Sequence, residues 1–201
     1  MNQAARFAHE IRLVGGRPAL DFVNTIHDRF RRPIEDHIRD PERYLGWAQR
    51  AGLMGRSEVR RVNTTGGVTE SNLTEVRRLR EQAYEVFVAH IQRRPPDRAA
   101  LAGLDAWIQR AWRAQTLTMK ERAVQMEWRD DAIDAMLPLR RIALDALDIL
   151  QTVPQERLKA CAAEAKCGWL FVDDSKNNSR RWCSMDMCGT DAKMRRYRGS
   201  A

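Results

Sequence analysis

All four cysteines of the chain, Cys161, Cys167, Cys183 and Cys188, fall after residue 160, whereas all four histidines, His9, His27, His37 and His90, precede residue 91. Clustered thiols restrict what the C-terminal stretch can become. They can hold a metal, form disulfides, or stay as buried or redox-active thiols. Residues Met1 to Glu10 mix Asn2, Gln3, Arg6, His9 and Glu10 among alanines and lack the apolar run of a signal peptide, so a reducing cytoplasm is expected. In that compartment metal ligation leads. Four thiolates complete the tetrahedral shell of Zn²⁺ and leave no position for a catalytic water, which predicts one structural zinc. Five residues separate the first pair and four the second, and neither spacing is the common two, so the two other fates stay open.

The surrounding residues favour a staple. From Gln155 onward the apolar side chains reduce to Leu158, Trp169, Leu170, Phe171, Val172, Trp182 and a few methionines. So small a core predicts a tail that does not fold unaided. A structural zinc supplies on the order of 10–16 kcal/mol of apparent binding free energy in small peptides. Trp169 to Asp173 reads as a strand, Asp174 to Ser179 as a turn, and Arg180 to Cys183 as the returning strand. Ala192, Met194 and Tyr197 then suit a short helix. The expected module is treble-clef-like: a β-hairpin and a helix around one zinc.

Upstream the patterning is helical. Asp40 as N-cap, Pro41 and a stop at Gly52 bracket a helix carrying Tyr44, Leu45, Trp47, Ala48 and Ala51. Leu73, Val76, Leu79, Ala83, Val86, Phe87 and Ile91 form one stripe that ends before Pro95-Pro96. Asp97 caps a third helix bearing Leu101, Leu104, Trp107, Ile108 and Ala111. Near-alternation from Gln115 to Trp128 predicts a β-hairpin. A last helix is expected from Asp130 to Leu150 with Ile133, Leu137, Leu144 and Leu147 inward, kinked or shortened by Pro138. Trp47, Trp107, Trp112 and Trp128 read as core. The expected fold is mainly α, with a helical domain over residues 1–154 and the zinc module over 155–201.

Charge bears on partners. The net charge is +8, and hydrophobic residues make up 43% of the chain, enough for a real core. Arg180, Arg181, Lys193, Arg195, Arg196 and Arg198 crowd around the last two cysteines, a pattern that suits phosphate contacts with DNA and equally a solvated basic tail. No run approaches the roughly 18 apolar residues of a membrane span. No nucleophile–base motif, glycine-rich phosphate loop or metalloprotease motif occurs, so a non-enzymatic protein is expected. Asp21, Asn24 and Thr25 share a face if helical, either lining a ligand pocket or closing a hydrogen-bond network.

Some of these stretches resemble a known pair of domains. Trp169-Leu-Phe-Val-Asp173, Ser175-Lys-Asn177, Ser179-Arg-Arg-Trp-Cys-Ser-Met185 and Cys188-Gly189 resemble the CGNR-type zinc finger. Pro18-Ala-Leu-Asp-Phe-Val-Asn-Thr25, with Asp40-Pro41, Tyr44-Leu45 and Trp47, resembles the ABATE domain that usually precedes it. The Cys-Gly-Asn-Arg of that finger is here Cys188-Gly189-Thr190-Asp191, exchanging a cation for an anion. The resemblance implies a zinc-containing, DNA-binding regulator of transcription under stress. Two rivals remain: a small-molecule-binding or enzymatic helical domain that the zinc module only braces, and a module that docks its basic helix on an acidic protein. A small-molecule effector and a homodimer are compatible with each.

Overall fold

A computed structural model of the chain describes residues 11–27, 29–30, 35–163 and 167–199. A short helix, α1 (Pro18–Val23), sits at its centre, with Ala19, Leu20, Asp21, Phe22 and Val23 all buried. Pro18 presets the first turn. Arg17 gives the helix no side-chain cap, and Asp145, from a helix far along the chain, accepts the Ala19 N–H at 2.8 Å instead. Phe22 packs on Trp47 with ring centroids 5.6 Å apart. Full burial of each such side chain contributes roughly 1.5–3 kcal/mol.

A two-residue ribbon follows, β1 (Ile26–His27) paired antiparallel with β2 (Glu35–Asp36). The helices α2 (Pro41–Arg50), α3 (Arg56–Thr64), α4 (Glu70–Ile91) and α5 (Arg98–Arg113) come next. Their starts are local events. Asp40 accepts from Arg43 N, Thr69 and Asn72 cap each other's backbone, and Asp97 accepts from Ala100 N. The helix α3 was not expected, because Val62 is its sole fully buried residue and its polar faces give no clear period. On α4 the expected stripe is buried except Ile91, and Arg80 joins it at 3% exposure. Arg80 pairs with both oxygens of Asp36 at 2.8 Å and donates to Thr25 Oγ1. Burial pushes the Asp36 carboxyl up, but the Arg80 contacts outweigh it and hold the group below the usual carboxylate range.

The hairpin β3 (Gln115–Lys120) and β4 (Ala123–Trp128) forms as expected, turning at Glu121 and Arg122, both at positive φ as a two-residue turn of this hand requires. Its apolar residues face outward. The register sets Leu117 opposite Met126 and Met119 opposite Val124 on one face, and all four are more than half exposed. Trp112 is also exposed and Trp128 half-buried, so only Trp47 and Trp107 of the four expected tryptophans belong to the core. Leu101 is likewise exposed.

Pro138 shortens the last helix of the helical part. A 3₁₀ turn occupies Asp130–Ala132, and α6 (Leu137–Thr152) starts with Pro138 in its first turn. The later start changes the inward face. Leu137, Leu139, Ile142, Ala143, Ala146 and Ile149 are buried, while Ile133, Leu144 and Leu147 are half-buried. No helix among the described residues is long and apolar enough to cross a membrane. One hydrophobic cluster runs from Ile11 through these helices to Leu158, Trp169, Leu170, Phe171 and three of the cysteines.

Candidate metal centre

The strands β5 (Leu158–Ala160) and β6 (Leu170–Val172) pair antiparallel, Leu158 with Val172 and Ala160 with Leu170. This corrects the expected hairpin: β6 finds its partner before the first cysteine, and Arg180 to Cys183 is not a strand. The reason is the buried carboxylate of Asp173. It accepts from Ser175 N, Ser175 Oγ, Lys159 Nζ and Arg180 N, and so bends the chain back before a third strand can extend. Burial pushes the pKa of that carboxyl up, yet Lys159 and the other donors hold it well below the ordinary range.

The ribbon carries the cysteines. Cys161 N–H donates to Trp169 O at 2.8 Å, extending the ladder by one bond, and Cys167 N–H donates to Ala163 O at 2.9 Å. Gly168 turns the chain at φ 71°, where a Cβ would also press on Arg29 and Phe30. Ala162 N–H donates to Arg181 O at 2.9 Å, laying the second cysteine pair beside the first. Cys188 lies in a π-helical turn, Met185–Gly189, that leads directly into α7 (Thr190–Gly199).

The four sulfurs lie within 4.8 Å of one another, with Cys167 and Cys183 at 3.5 Å and Cys183 and Cys188 at 3.6 Å. A tetrahedron with Zn–S near 2.3 Å places its sulfurs about 3.8 Å apart, so the set fits. A disulfide needs about 2.05 Å, and all four thiols are free. Cys161, Cys167 and Cys183 are buried and Cys188 is half-buried. Crowding pushes the Cys167 and Cys183 thiols up, in each first through the hydrogen bond to Cys161, with Cys188 and burial adding to it and the Cys183 contact opposing it at Cys167. A divalent cation reverses that preference and lets all four act as thiolates. The site holds one structural zinc.

The expected nucleic-acid residues separate into groups. Arg180 is spent on the fold: its guanidinium donates to Val14 O, Cys183 O, Trp182 O and Val172 O, and lies 4.2 Å from the Phe171 ring centroid. It is therefore removed from the phosphate-contacting set. Arg181 is exposed, its guanidinium 5.2 Å from the Trp182 ring centroid. Lys193, Arg195 and Arg198 are exposed on α7, and Arg195 pairs with Asp191 at 3.4 Å. The Arg196 side chain lies outside the described residues. Met194 and Tyr197 are exposed too, leaving Ala192 half-buried.

Asp21, Asn24 and Thr25 are brought together and buried, and their polar atoms serve the chain itself. Gly15 N–H donates to Asp21 Oδ1 at 2.8 Å, and Thr25 Oγ1 donates to Phe22 O at 2.7 Å. Asn24 closes a two-point clamp on β6, donating to Leu170 O and accepting from Leu170 N, each at 2.8 Å. Two further bonds cross the same boundary, Trp169 Nε1 to Ile26 O at 2.7 Å and Val172 N to Gly15 O at 2.9 Å. This placement is that of the hydrogen-bond network rather than of a pocket lining. Sequence reading missed Lys159, Arg80 and Arg157, whose guanidinium donates to Asp173 O and Ser175 O; only the Asp173-Asp174-Ser175 stretch carried a signal, that of a turn closed by an aspartate side chain.

A cysteine-bound ribbon running into a short basic helix, built onto a helical body, defines a helical protein with a structural zinc finger. Comparison with known families narrows the class. A family model described as the CGNR zinc finger matches residues 157–199. A second, ABATE, described as "Putative stress-induced transcription regulator", matches residues 16–153. The chain belongs to the ABATE family and carries a CGNR zinc finger. No curated protein matches it.

Proposed function

We propose that the protein is a non-enzymatic, cytoplasmic regulator of transcription that binds DNA through its zinc module. The supporting observation is the place of α7. It starts one residue after Gly189 of the Cys188 turn, so a metal at the four sulfurs anchors its first turn. Its exposed Lys193, Arg195 and Arg198, with Arg181 on the preceding segment, offer cations to a phosphate backbone. A role in stress rests on the family description alone.

The experiment is retention of the zinc-loaded protein on random duplex DNA over a salt gradient. Each lost phosphate contact lowers the slope of log affinity against log salt by about 0.9. Arg195→Glu combined with Arg198→Glu is expected to weaken binding and flatten the slope by roughly 2. Retained affinity and slope in that double variant would remove α7 from the interface. Absence of any salt-dependent retention of the native protein would remove DNA binding altogether.

A further inference from the structure

A cavity of about 370 Å³ opens at the root of the β3–β4 hairpin, between the end of α5 and the start of α6, far in sequence from the cysteines. Four arginines line it, Arg110, Arg113, Arg129 and Arg140, against one carboxylate, Asp131. With Asp134 and Glu75, the carboxylates that pair with Arg140 and Arg110, the local excess is one cation. The arginines differ in how firmly they are held. Arg140 is committed to both oxygens of Asp134 and to Ala132 O. Arg129 clasps the exposed Asp131. Arg110 lies 4.7 Å from the Trp107 ring centroid and reaches Glu75 only at 3.9 Å. The Arg113 guanidinium has no hydrogen-bond or ion-pair partner among the described residues. The floor is apolar: Trp107, Ala114, Ala132 and Met136.

We propose that this cavity binds a small organic anion, a carboxylate or phosphate monoester borne on a compact apolar body. Apolar side chains with a few convergent polar groups are the usual lining of a small-molecule site, and this site, wide open to solvent, has a volume at the lower end of the usual range of about 300–1,000 Å³. Guanidinium forks match carboxylate and phosphate oxygens two at a time. An uncharged occupant leaves Arg113 without a partner, and a bare inorganic ion leaves the apolar side chains uncovered. The occupant also reaches the base of the hairpin. Arg129 N donates to Ala114 O at 2.9 Å, closing its base, and both residues line the cavity.

Calorimetric titration of the full-length, zinc-loaded protein tests this with phenyl phosphate, benzoate, benzyl alcohol and inorganic phosphate at one ionic strength. Phenyl phosphate and benzoate are expected to bind saturably, one per chain, with Kd below about 1 mM, and the other two at least about tenfold more weakly. Arg113 is exposed, so Arg113→Gln is expected to keep its melting temperature while weakening phenyl phosphate about tenfold, the loss of one charge-assisted contact. Failure of both aromatic anions to saturate, equal binding of benzyl alcohol or inorganic phosphate, or an Arg113→Gln variant that binds like the native protein overturns the proposal. Loss of DNA retention in Arg113→Gln, with no phenyl phosphate binding by the native chain, also overturns it and assigns these arginines to nucleic acid.

Discussion

Asp21 is a carboxyl group placed where water barely reaches it, 8% exposed on the central helix. Burial pushes it up to about 6, against the lowering effect of the Gly15 N–H it accepts. Below a pH of about 4 the group is protonated folded or unfolded and costs nothing. Between about 4 and 6 the unfolded chain releases its proton while the folded chain keeps it, so stability falls as pH rises. Above about 6 the cost is complete, on the order of 3 kcal/mol. Asp21→Asn retains an acceptor for Gly15 and abolishes the titration. Its unfolding free energy relative to the native protein is expected to improve by up to about 3 kcal/mol between pH 4 and pH 7. Protonation of the cysteine ligands at low pH affects both proteins alike and cancels in the difference. A pH-independent difference in denaturant titrations would show that burial does not set this group's acidity. The burial of Asp21 could not be read from the sequence, where an i, i+3, i+4 set of polar residues fits a pocket as well as a network. The same holds for Arg80 and Lys159, cations whose carboxylate partners are 44 and 14 residues away.

At the scale of elements, local chemistry was legible and long-range pairing was not. The caps at Asp40 and Asp97 act within three residues, and the hairpin turn lies between strands that are neighbours in sequence. The partner of β6 was misplaced because β5 is only Leu158–Ala160, too short for a period, and because a buried Asp173 decides where the chain turns. The zinc ligands were legible because thiols so concentrated have few alternative uses. The departure at Thr190-Asp191 acts on α7. Asp191 sits in the first turn, where an anion favours the helix dipole, and it pairs with Arg195 one turn on. An exposed pair of this kind stabilises by roughly 0.2–1 kcal/mol, so its removal is tolerable. Asp191→Arg frees Arg195 and adds a cation beside the metal turn. It is expected to tighten retention on random DNA and to steepen the salt slope by about 1 to 2, at a small cost in helix stability. An unchanged slope would place DNA, if bound, on another face.

For the whole molecule the decisive fact is the continuity of the core. The small number of apolar residues after Gln155 suggested a tail that zinc alone folds, but Leu158, Trp169, Leu170 and Phe171 are buried in the same cluster as Phe22, Leu79 and Ile149. The clamp of Asn24 on Leu170, the bond from Trp169 to Ile26 and the bond from Val172 to Gly15 attach β6 to the segment around α1. The metal therefore governs less than the module. It ties Cys161 and Cys167, which border the core, to the path from Cys183 into α7. Removal of zinc with a strong chelator is expected to split the molecule along that line in hydrogen exchange. Amides of Leu170 and Val172 are expected to stay protected, while those of Cys167 and Gly189, bonded only within the metal loops, lose protection. Near-complete retention of helical circular dichroism should accompany this. If β6 instead exchanges as fast as the cysteine turns, the zinc, rather than the shared core, is what folds the C-terminal stretch.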